Sequence, residues 1–200
     1  MKVLGIWGSP RVGGNTEILL DALLRGAQEG GGEVEKVALR KLKISPCLEI
    51  YKCFETGECP IKDDMLTLYS KLLAADVVVL ASPIFFYGLT AQAKAMIDRT
   101  QAFWARRYIL KQEFPGGHRQ GIFLSTAATK GKHLFVGARL ATYYFFDAIH
   151  VRYAAEILVR EVDEKGAILR RPEVLAEAEA LGRRLGQGEQ VGQVKVFPIV

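Results

Sequence analysis

A glycine-rich stretch near the start of the chain, GSPRVGGNT at residues 8–16, combines the residue types that bind phosphate. Ser9 and Thr16 offer hydroxyl groups, and Arg11 offers a fixed guanidinium fork that matches a phosphate. Two adjacent glycines between them let the backbone approach a ligand closely. The stretch therefore predicts a phosphate-binding turn, and the alternative is a glycine-rich turn that only connects two elements.

The residues on either side of the turn indicate a strand before it and a helix after it. An apolar run, KVLGIW, precedes the turn, and an amphipathic stretch, EILLDALLRGAQEG, follows it. Asn15 and Thr16 then lie where the N–H groups and dipole of a helix start favour an anion. The spacing matches neither the GxxxxGK[ST] pattern of P-loop nucleotidases nor the GxGxxG pattern of dinucleotide-binding folds.

A second unusual loop, SPIFFYG at residues 82–88, is apolar where loops are normally polar. An aromatic rim of this kind suits a flat aromatic ring whose polar edge is read by backbone groups. The alternative is that its aromatic side chains belong to the core or to a subunit contact.

The wider pattern alternates apolar strand-like runs with helical segments. It predicts strands at 2–8, 33–39, 76–82, 119–126 and 150–158, and helices at 16–30, 63–75, 89–107, 132–149 and 172–188. This alternation predicts an α/β fold, a flavodoxin-like three-layer sandwich with a five-stranded parallel sheet in the order 2-1-3-4-5, formed by one domain over residues 1–200. Ligands bind at the carboxyl ends of such strands, where both loops and a third, STAATKGKH at 125–133, would meet.

A phosphate turn beside an aromatic loop favours flavin mononucleotide (FMN) as the ligand. The segments GSPRVGGNTEILLDALL and ADVVVLASPIFFYGLTAQAKAMIDR resemble the flavodoxin-like family of NAD(P)H-dependent FMN reductases, near its iron–sulfur flavoprotein branch. The resemblance is strongest over residues 1–100 and assigns FMN contacts in three groups. The phosphate group is Ser9, Arg11, Gly14, Asn15 and Thr16; the ring group is Pro83, Ile84, Phe85, Phe86, Tyr87 and Gly88; the far side of the ring is closed by Thr126, Ala127 and Ala128.

The resemblance implies an enzyme in which NADH or NADPH reduces the flavin, which then passes electrons to a quinone, free flavin or similar small acceptor. The flavin would supply this chemistry, so no catalytic side chain is expected. One alternative is an electron carrier without its own turnover; flavodoxins of that kind are usually acidic, whereas this chain carries a net charge of +5. Another is a phosphate-binding protein of the same fold without a flavin.

Cysteines occur in one stretch only, PCLEIYKCFETGECPIKDDM at residues 46–65. In the iron–sulfur branch a similar stretch carries four close cysteines, and cluster iron takes thiolate ligands. This chain has Cys47, Cys53 and Cys59, with Ile50 where a tight CxxC would be completed. We therefore expect no iron–sulfur cluster and no other bound metal. The three cysteines would then be small hydrophobic side chains packed near the active site, or two of them would form a redox-active thiol pair.

The composition and the absence of targeting segments bear on the partners and the location that we expect for this chain. Basic residues occur in short groups rather than long blocks, so we expect no nucleic-acid partner. We find no signal peptide and no apolar run of membrane-spanning length, and an odd number of cysteines suits a reducing compartment, so we expect a cytoplasmic protein.

The aromatic loop and a second aromatic group, ATYYFFDAIH at residues 141–150, predict a homodimer or tetramer with the flavin near a subunit boundary.

Overall fold

The computed structural model describes residues 1–114 and 117–196. Its strands are β1 (Lys2–Trp7), β2 (Glu33–Ala38), β3 (Val77–Ala81), β4 (Gln120–Thr126) and β5 (Arg152–Val159). Its α-helices are α1 (Asn15–Glu29), α2 (Lys52–Thr56), α3 (Met65–Ala74), α4 (Ala91–Arg99), α5 (Gln101–Trp104), α6 (Val136–Ala148) and α7 (Pro172–Gly186). Short 3₁₀ turns lie at Leu39–Lys41 and Ala167–Arg170, and a π-helical turn at Ala105–Ile109.

The five strands form one parallel sheet in the order β2-β1-β3-β4-β5, which confirms the predicted fold class. The central strand β3 is buried along its whole length, as its β-branched apolar sequence VVVLA requires of a strand covered on both faces. In the outer strand β2 no residue is buried, and three of its six residues are charged. The burial of these two strands agrees with their central and outer places in the predicted order.

Helices cover both faces of the sheet. One apolar layer joins the sheet to α1 and α7, and the other joins it to α3, α4 and α6. The turn after β1 leads into α1 on the first face, whereas the loop after β3 leads into α4 on the second. The point where the chain reverses thus lies between β1 and β3, and it is there that an open sheet of this kind leaves a crevice.

Helices α1 and α7 pack with almost no space between their backbones. A Cβ built on Gly26 would lie 2.0 Å from the carbonyl oxygen of Glu179, and one built on Gly182 would lie 2.0 Å from that of Leu23. Only glycine permits this approach from both sides. The contact fixes α1, and with it the turn that precedes α1.

Two of the five predicted helices have a boundary that differs from the structure by more than two residues. The predicted helix 89–107 is interrupted at Thr100, whose hydroxyl donates to the carbonyl oxygen of Ile97 at 2.6 Å. Side-chain hydroxyls that bond the preceding turn compete with the helical ladder and bend helices. The predicted helix 132–149 begins only at Val136. Thr90 caps α4, since its hydroxyl oxygen accepts from the N–H of Ala93 at 3.3 Å.

The aromatic group in α6 is divided between the core and the surface. Phe145 and Phe146 are buried in the layer shared with α3 and α4. Tyr144 of the same helix is 60% exposed. Only part of this group is therefore available to a second subunit. None of the helices in the described ranges is sufficiently long and apolar to span a membrane.

Candidate functional site

A cleft of about 220 Å³ opens at the carboxyl ends of β1, β3, β4 and β5. Eleven of the predicted site residues line it: Ser9, Arg11, Gly14, Asn15, Thr16, Pro83, Ile84, Phe85, Thr126, Ala127 and Ala128. Phe86, Tyr87 and Gly88 do not line it. The cleft is smaller than the ~300–1,000 Å³ usual for a ligand site, so a nucleotide held here would lie partly outside it, against the neighbouring surface.

The glycine-rich turn presents the start of α1 to this cleft. Gly14 precedes the helix as its N-cap residue, and Gly13 adopts a φ of +64°, which a residue with a side chain rarely adopts. The first N–H groups of α1 have no acceptor within the helix, and they carry the positive end of its dipole. The turn therefore has the local geometry of an anion site.

Two threonines join the turn to the end of β4. The hydroxyl oxygens of Thr16 and Thr126 lie 2.6 Å apart in a buried hydrogen bond. A further contact ties the turn to α4, because the hydroxyl of Thr90 donates to the carbonyl oxygen of Gly8 at 2.6 Å. These bonds hold the loops after β1 and β4 in fixed relative positions, as a preformed site requires.

The side chain of Asn15 joins the turn to the segment after β5. Its amide nitrogen donates to the carbonyl oxygens of Val162 and Glu164, at 3.2 and 2.9 Å. Its amide oxygen accepts from the N–H of Ile168 at 3.1 Å. The side chain is thus fully used in clamping the segment after β5 to the turn, and only the main-chain N–H of Asn15 is left for a phosphate.

The segment after β5 forms part of the cleft, which the sequence analysis missed. Val162 and Asp163 line it, and the guanidinium of Arg11 donates to the carbonyl oxygen of Asp163 at 3.0 Å. Neither residue belongs to a recognisable motif. The one available signal was positional, because the fifth strand ends at the same edge as the other four.

The aromatic loop forms a tight, two-residue reversal. Phe85 and Gly88 exchange two backbone hydrogen bonds of 2.9 Å, while Phe86 and Tyr87 between them have φ values of +48° and +62°. Positive φ at two successive bulky residues is strained backbone, of the kind that concentrates at ligand-binding sites. Phe86 is fully exposed, and Phe85 is 51% exposed. The alternative that these two side chains belong to the core of this chain is therefore wrong.

Tyr87 of this loop packs closely against two glycines in the segment after β4. A Cβ built on Gly131 would lie 2.5 Å from the hydroxyl oxygen of Tyr87, and one on Gly137 would lie 2.8 Å from its carbonyl oxygen. Both glycines leave the room that Tyr87 occupies. The ring of Tyr87 is thereby held toward the loop after β4, and Phe86 is left facing solvent.

A cavity larger than this cleft lies elsewhere, beside the cysteine stretch. It measures about 820 Å³, and its lining includes all three cysteines together with Ile50. Cys47, Cys53 and Cys59 form no disulfide. Burial, with the neighbouring thiols of Cys59 and Cys47, raises the pKa of the Cys53 thiol.

The donor set of this cavity is one ligand short of a four-thiolate cluster site. Three thiols face the cavity, and the fourth position, Ile50, has an apolar side chain that cannot bind iron. Within residues 1–114 and 117–196, no group of three or more His, Cys, Asp or Glu side chains is arranged to hold a metal ion. The residues present therefore do not fit a cubane cluster, and its absence stays a prediction.

A buried ion pair anchors the cysteine stretch to α4. The guanidinium of Arg99 lies 2.6 Å from the carboxylate of Asp63, and it also donates to the carbonyl oxygens of Ser45 and Ile61. Burial opposes ionisation of Asp63, but the hydrogen bonds from Arg99 and from the N–H groups of Ser45 and Met65 outweigh it and lower the pKa of this carboxyl. The stretch is thus fixed at both ends.

Comparison with known proteins places these features in a family. The model of the family described as NADPH-dependent FMN reductase matches residues 1–155. An iron–sulfur flavoprotein of Methanocaldococcus jannaschii is 42% identical over 101 residues, which are 50% of this chain and 52% of that protein. This chain thus spans about half the length of that relative. An iron–sulfur flavoprotein of Archaeoglobus fulgidus is 35% identical over 147 residues, 74% of this chain and 73% of the relative.

A solved structure agrees with the fold. An NAD(P)H:quinone oxidoreductase from Methanothermobacter marburgensis superposes with a TM-score of 0.69 at 17% identity, covering 92% of this chain and 98% of the other. At this identity the likeness concerns the fold alone. Because the family model covers more than half of the chain and the Archaeoglobus relative is matched over most of its length, the chain belongs to the NADPH-dependent FMN reductase family.

Proposed function

We propose that this chain binds FMN in the cleft at the strand ends and acts as an NAD(P)H-dependent oxidoreductase. The observation that carries the proposal is the juxtaposition, at one edge of the sheet, of an anion-binding helix start and an exposed, strained aromatic loop. A ligand that is anionic at one end and aromatic at the other matches both. The family to which the chain belongs supports the same ligand.

In this proposal the phosphate lies at the turn. Ser9, Arg11 and the main-chain N–H groups at Gly14, Asn15 and Thr16 would hold it through charge-assisted hydrogen bonds. The Asn15 side chain contributes indirectly, because it fixes the segment after β5 against the turn.

The ring of the flavin would lie outside the small cleft, against the aromatic loop. Pro83, Ile84 and Phe85 would contact it from one side, with Phe86, Tyr87 and Gly88 at its rim. Thr126, Ala127 and Ala128 would close the opposite side, where the N–H of Ile84 already bonds the carbonyl oxygen of Thr126 at 2.9 Å.

The bound flavin would supply the redox chemistry, accepting a hydride from NADH or NADPH and passing electrons to a quinone, free flavin or similar acceptor. The side chains of the site would bind the flavin, orient its ring and exclude water from one face. We assign no residue as a general acid or base, since the chemistry needs none.

The proposal extends to the domain organisation, the location and the assembly of the protein. Residues 1–200 would form one FMN-binding domain, acting without nucleic acid or membrane. Three unpaired cysteines suit a reducing compartment, which supports a cytoplasmic location. The fully exposed Phe86 supports a homodimer or tetramer in which a second subunit covers the aromatic loop.

Titration of the purified protein with FMN, followed by assays with NADH and NADPH against a panel of quinones and free flavins, tests this function. We expect stoichiometric FMN binding and turnover with at least one acceptor. Binding and reduction without turnover would instead indicate the electron carrier. Failure to bind FMN would overturn the proposal and favour a phosphate-binding protein of the same fold.

A further inference from the structure

Lys165, in the segment between β5 and α7, reaches over the glycine-rich turn. A Cβ built on Gly13 would lie 3.0 Å from Cε of Lys165 and 3.3 Å from its Nζ. Lys165 is exposed, and among the residues that the structure describes no carboxylate pairs with its ammonium group. An unpaired cation is thus held beside a turn whose geometry suits an anion.

The turn itself has fewer free donors than its sequence suggests. The N–H of Gly13 donates to a carboxylate oxygen of Glu17 at 2.6 Å, and the N–H of Arg11 donates to the hydroxyl oxygen of Ser9 at 3.2 Å. Glu17 also brings a negative charge to the turn, and the ammonium of Lys36 pairs with this carboxylate at 2.8 Å. A phosphate entering here would meet repulsion from Glu17 that a further cation would offset.

The backbone that carries Lys165 is attached to the turn by several bonds. Asn15 bonds residues on both sides of it, at Val162, Glu164 and Ile168, and Arg11 bonds the carbonyl oxygen of Asp163. The position of the Lys165 backbone is therefore set by the turn. Only the side chain is free to adjust to a ligand.

We propose that Lys165 binds the phosphate of the flavin as a second cation in addition to Arg11, so that the segment after β5 helps the site select a phosphorylated flavin. This rests on the proposed function. Riboflavin, which has the same ring without the phosphate, would gain nothing from Lys165. The contact is exposed, and salt would therefore weaken it.

Dissociation constants for FMN and for riboflavin, measured by flavin fluorescence, test the proposal in the wild type and in Lys165→Gln. We expect Lys165→Gln to weaken FMN binding by about three- to tenfold, since exposed ionic contacts are modest, and to leave riboflavin binding unchanged. The salt dependence of FMN binding should also become shallower. Lys165→Arg, which keeps the charge, should retain most of the affinity.

Lys62→Gln is the matched control, because it removes the same charge from an exposed lysine in the segment before α3. It should alter neither constant. Equal losses for FMN and riboflavin in Lys165→Gln, or no loss for FMN, would overturn the role of Lys165 while leaving the flavin site in place. Failure of the wild type to bind FMN would instead overturn the proposed function, and this assignment with it.

Discussion

The guanidinium of Arg99 and the carboxylate of Asp63 form an ion pair of 2.6 Å that joins the end of α4 to the cysteine stretch. The Arg99 side chain is completely buried, and that of Asp63 is 12% exposed. A buried pair of this kind contributes little compared with two apolar residues, but removal of one partner leaves the other charge uncompensated. The attachment of the cysteine stretch therefore depends on both residues.

Asp63→Asn should lower the free energy of unfolding at neutral pH by about 3–5 kcal/mol, since it leaves Arg99 buried without a counter-charge. The pKa of Asp63 is lowered from its ordinary value of 3.8, so its stabilisation is complete above that value and is lost as pH falls through the lowered one. Urea unfolding of both proteins across this range measures the difference, which should shrink at acid pH.

Asp98→Asn provides the control for this prediction. Asp98 pairs with Lys94 at 2.7 Å, but both side chains are well exposed, so the loss should stay below about 1 kcal/mol. Equal losses for the two variants, or a difference that does not change with pH, would contradict the role given to the buried pair.

Arg11→Ala should weaken FMN binding by about ten- to a hundredfold, because it removes a charge-assisted phosphate contact. Riboflavin binding should change little, since riboflavin has no phosphate. Fluorescence titration with both flavins measures the two effects. An unchanged FMN affinity would remove Arg11 from the site.

The cysteine cavity should hold no iron–sulfur cluster. Anaerobically purified protein should show flavin absorbance without a broad iron–sulfur band, and little acid-labile sulfide, because Ile50 leaves the donor set one thiolate short. After treatment with iron and sulfide, Ile50→Cys should take up more of both than Ile50→Ala. Stoichiometric iron and sulfide in the wild type would show that three cysteines suffice.

A second subunit should cover the aromatic loop. Phe86 is fully exposed, and Phe85 and Tyr87 are each about half exposed, which is unusual for adjacent aromatic residues on a monomer. Light scattering at micromolar concentration should give at least twice the 22.1 kDa mass of the chain, and Phe86→Ser should shift the equilibrium toward monomer. A 22.1 kDa species that binds FMN and turns over would contradict this assembly.

The sequence predicted the sheet well because its strands differ in pattern. VVVLA in β3 is typical of a strand buried on both faces, whereas EVEKVA in β2 is typical of an outer strand. The interruption at Thr100 was not predictable from the same evidence, since helical periodicity continues through it. It depends on a local hydroxyl bond to the carbonyl oxygen of Ile97.

The cleft was predictable where glycine and aromatic motifs mark it, and not where ordinary residues complete it. The loops after β1, β3 and β4 carry such motifs, and the structure brings them together. Val162 and Asp163 carry none, because their place depends on hydrogen bonds from Asn15 and Arg11, about 150 positions earlier in the chain. Contacts of that range have no signature in a single sequence.

Anaerobic mixing of the FMN-loaded protein with NADPH, and separately with NADH, tests the proposed function most directly. The absorbance of the bound flavin should bleach with at least one nicotinamide, much faster than free FMN does under the same conditions, and should recover when a quinone is added. Protein that binds FMN tightly but whose flavin bleaches no faster than free FMN with either nicotinamide would contradict the account.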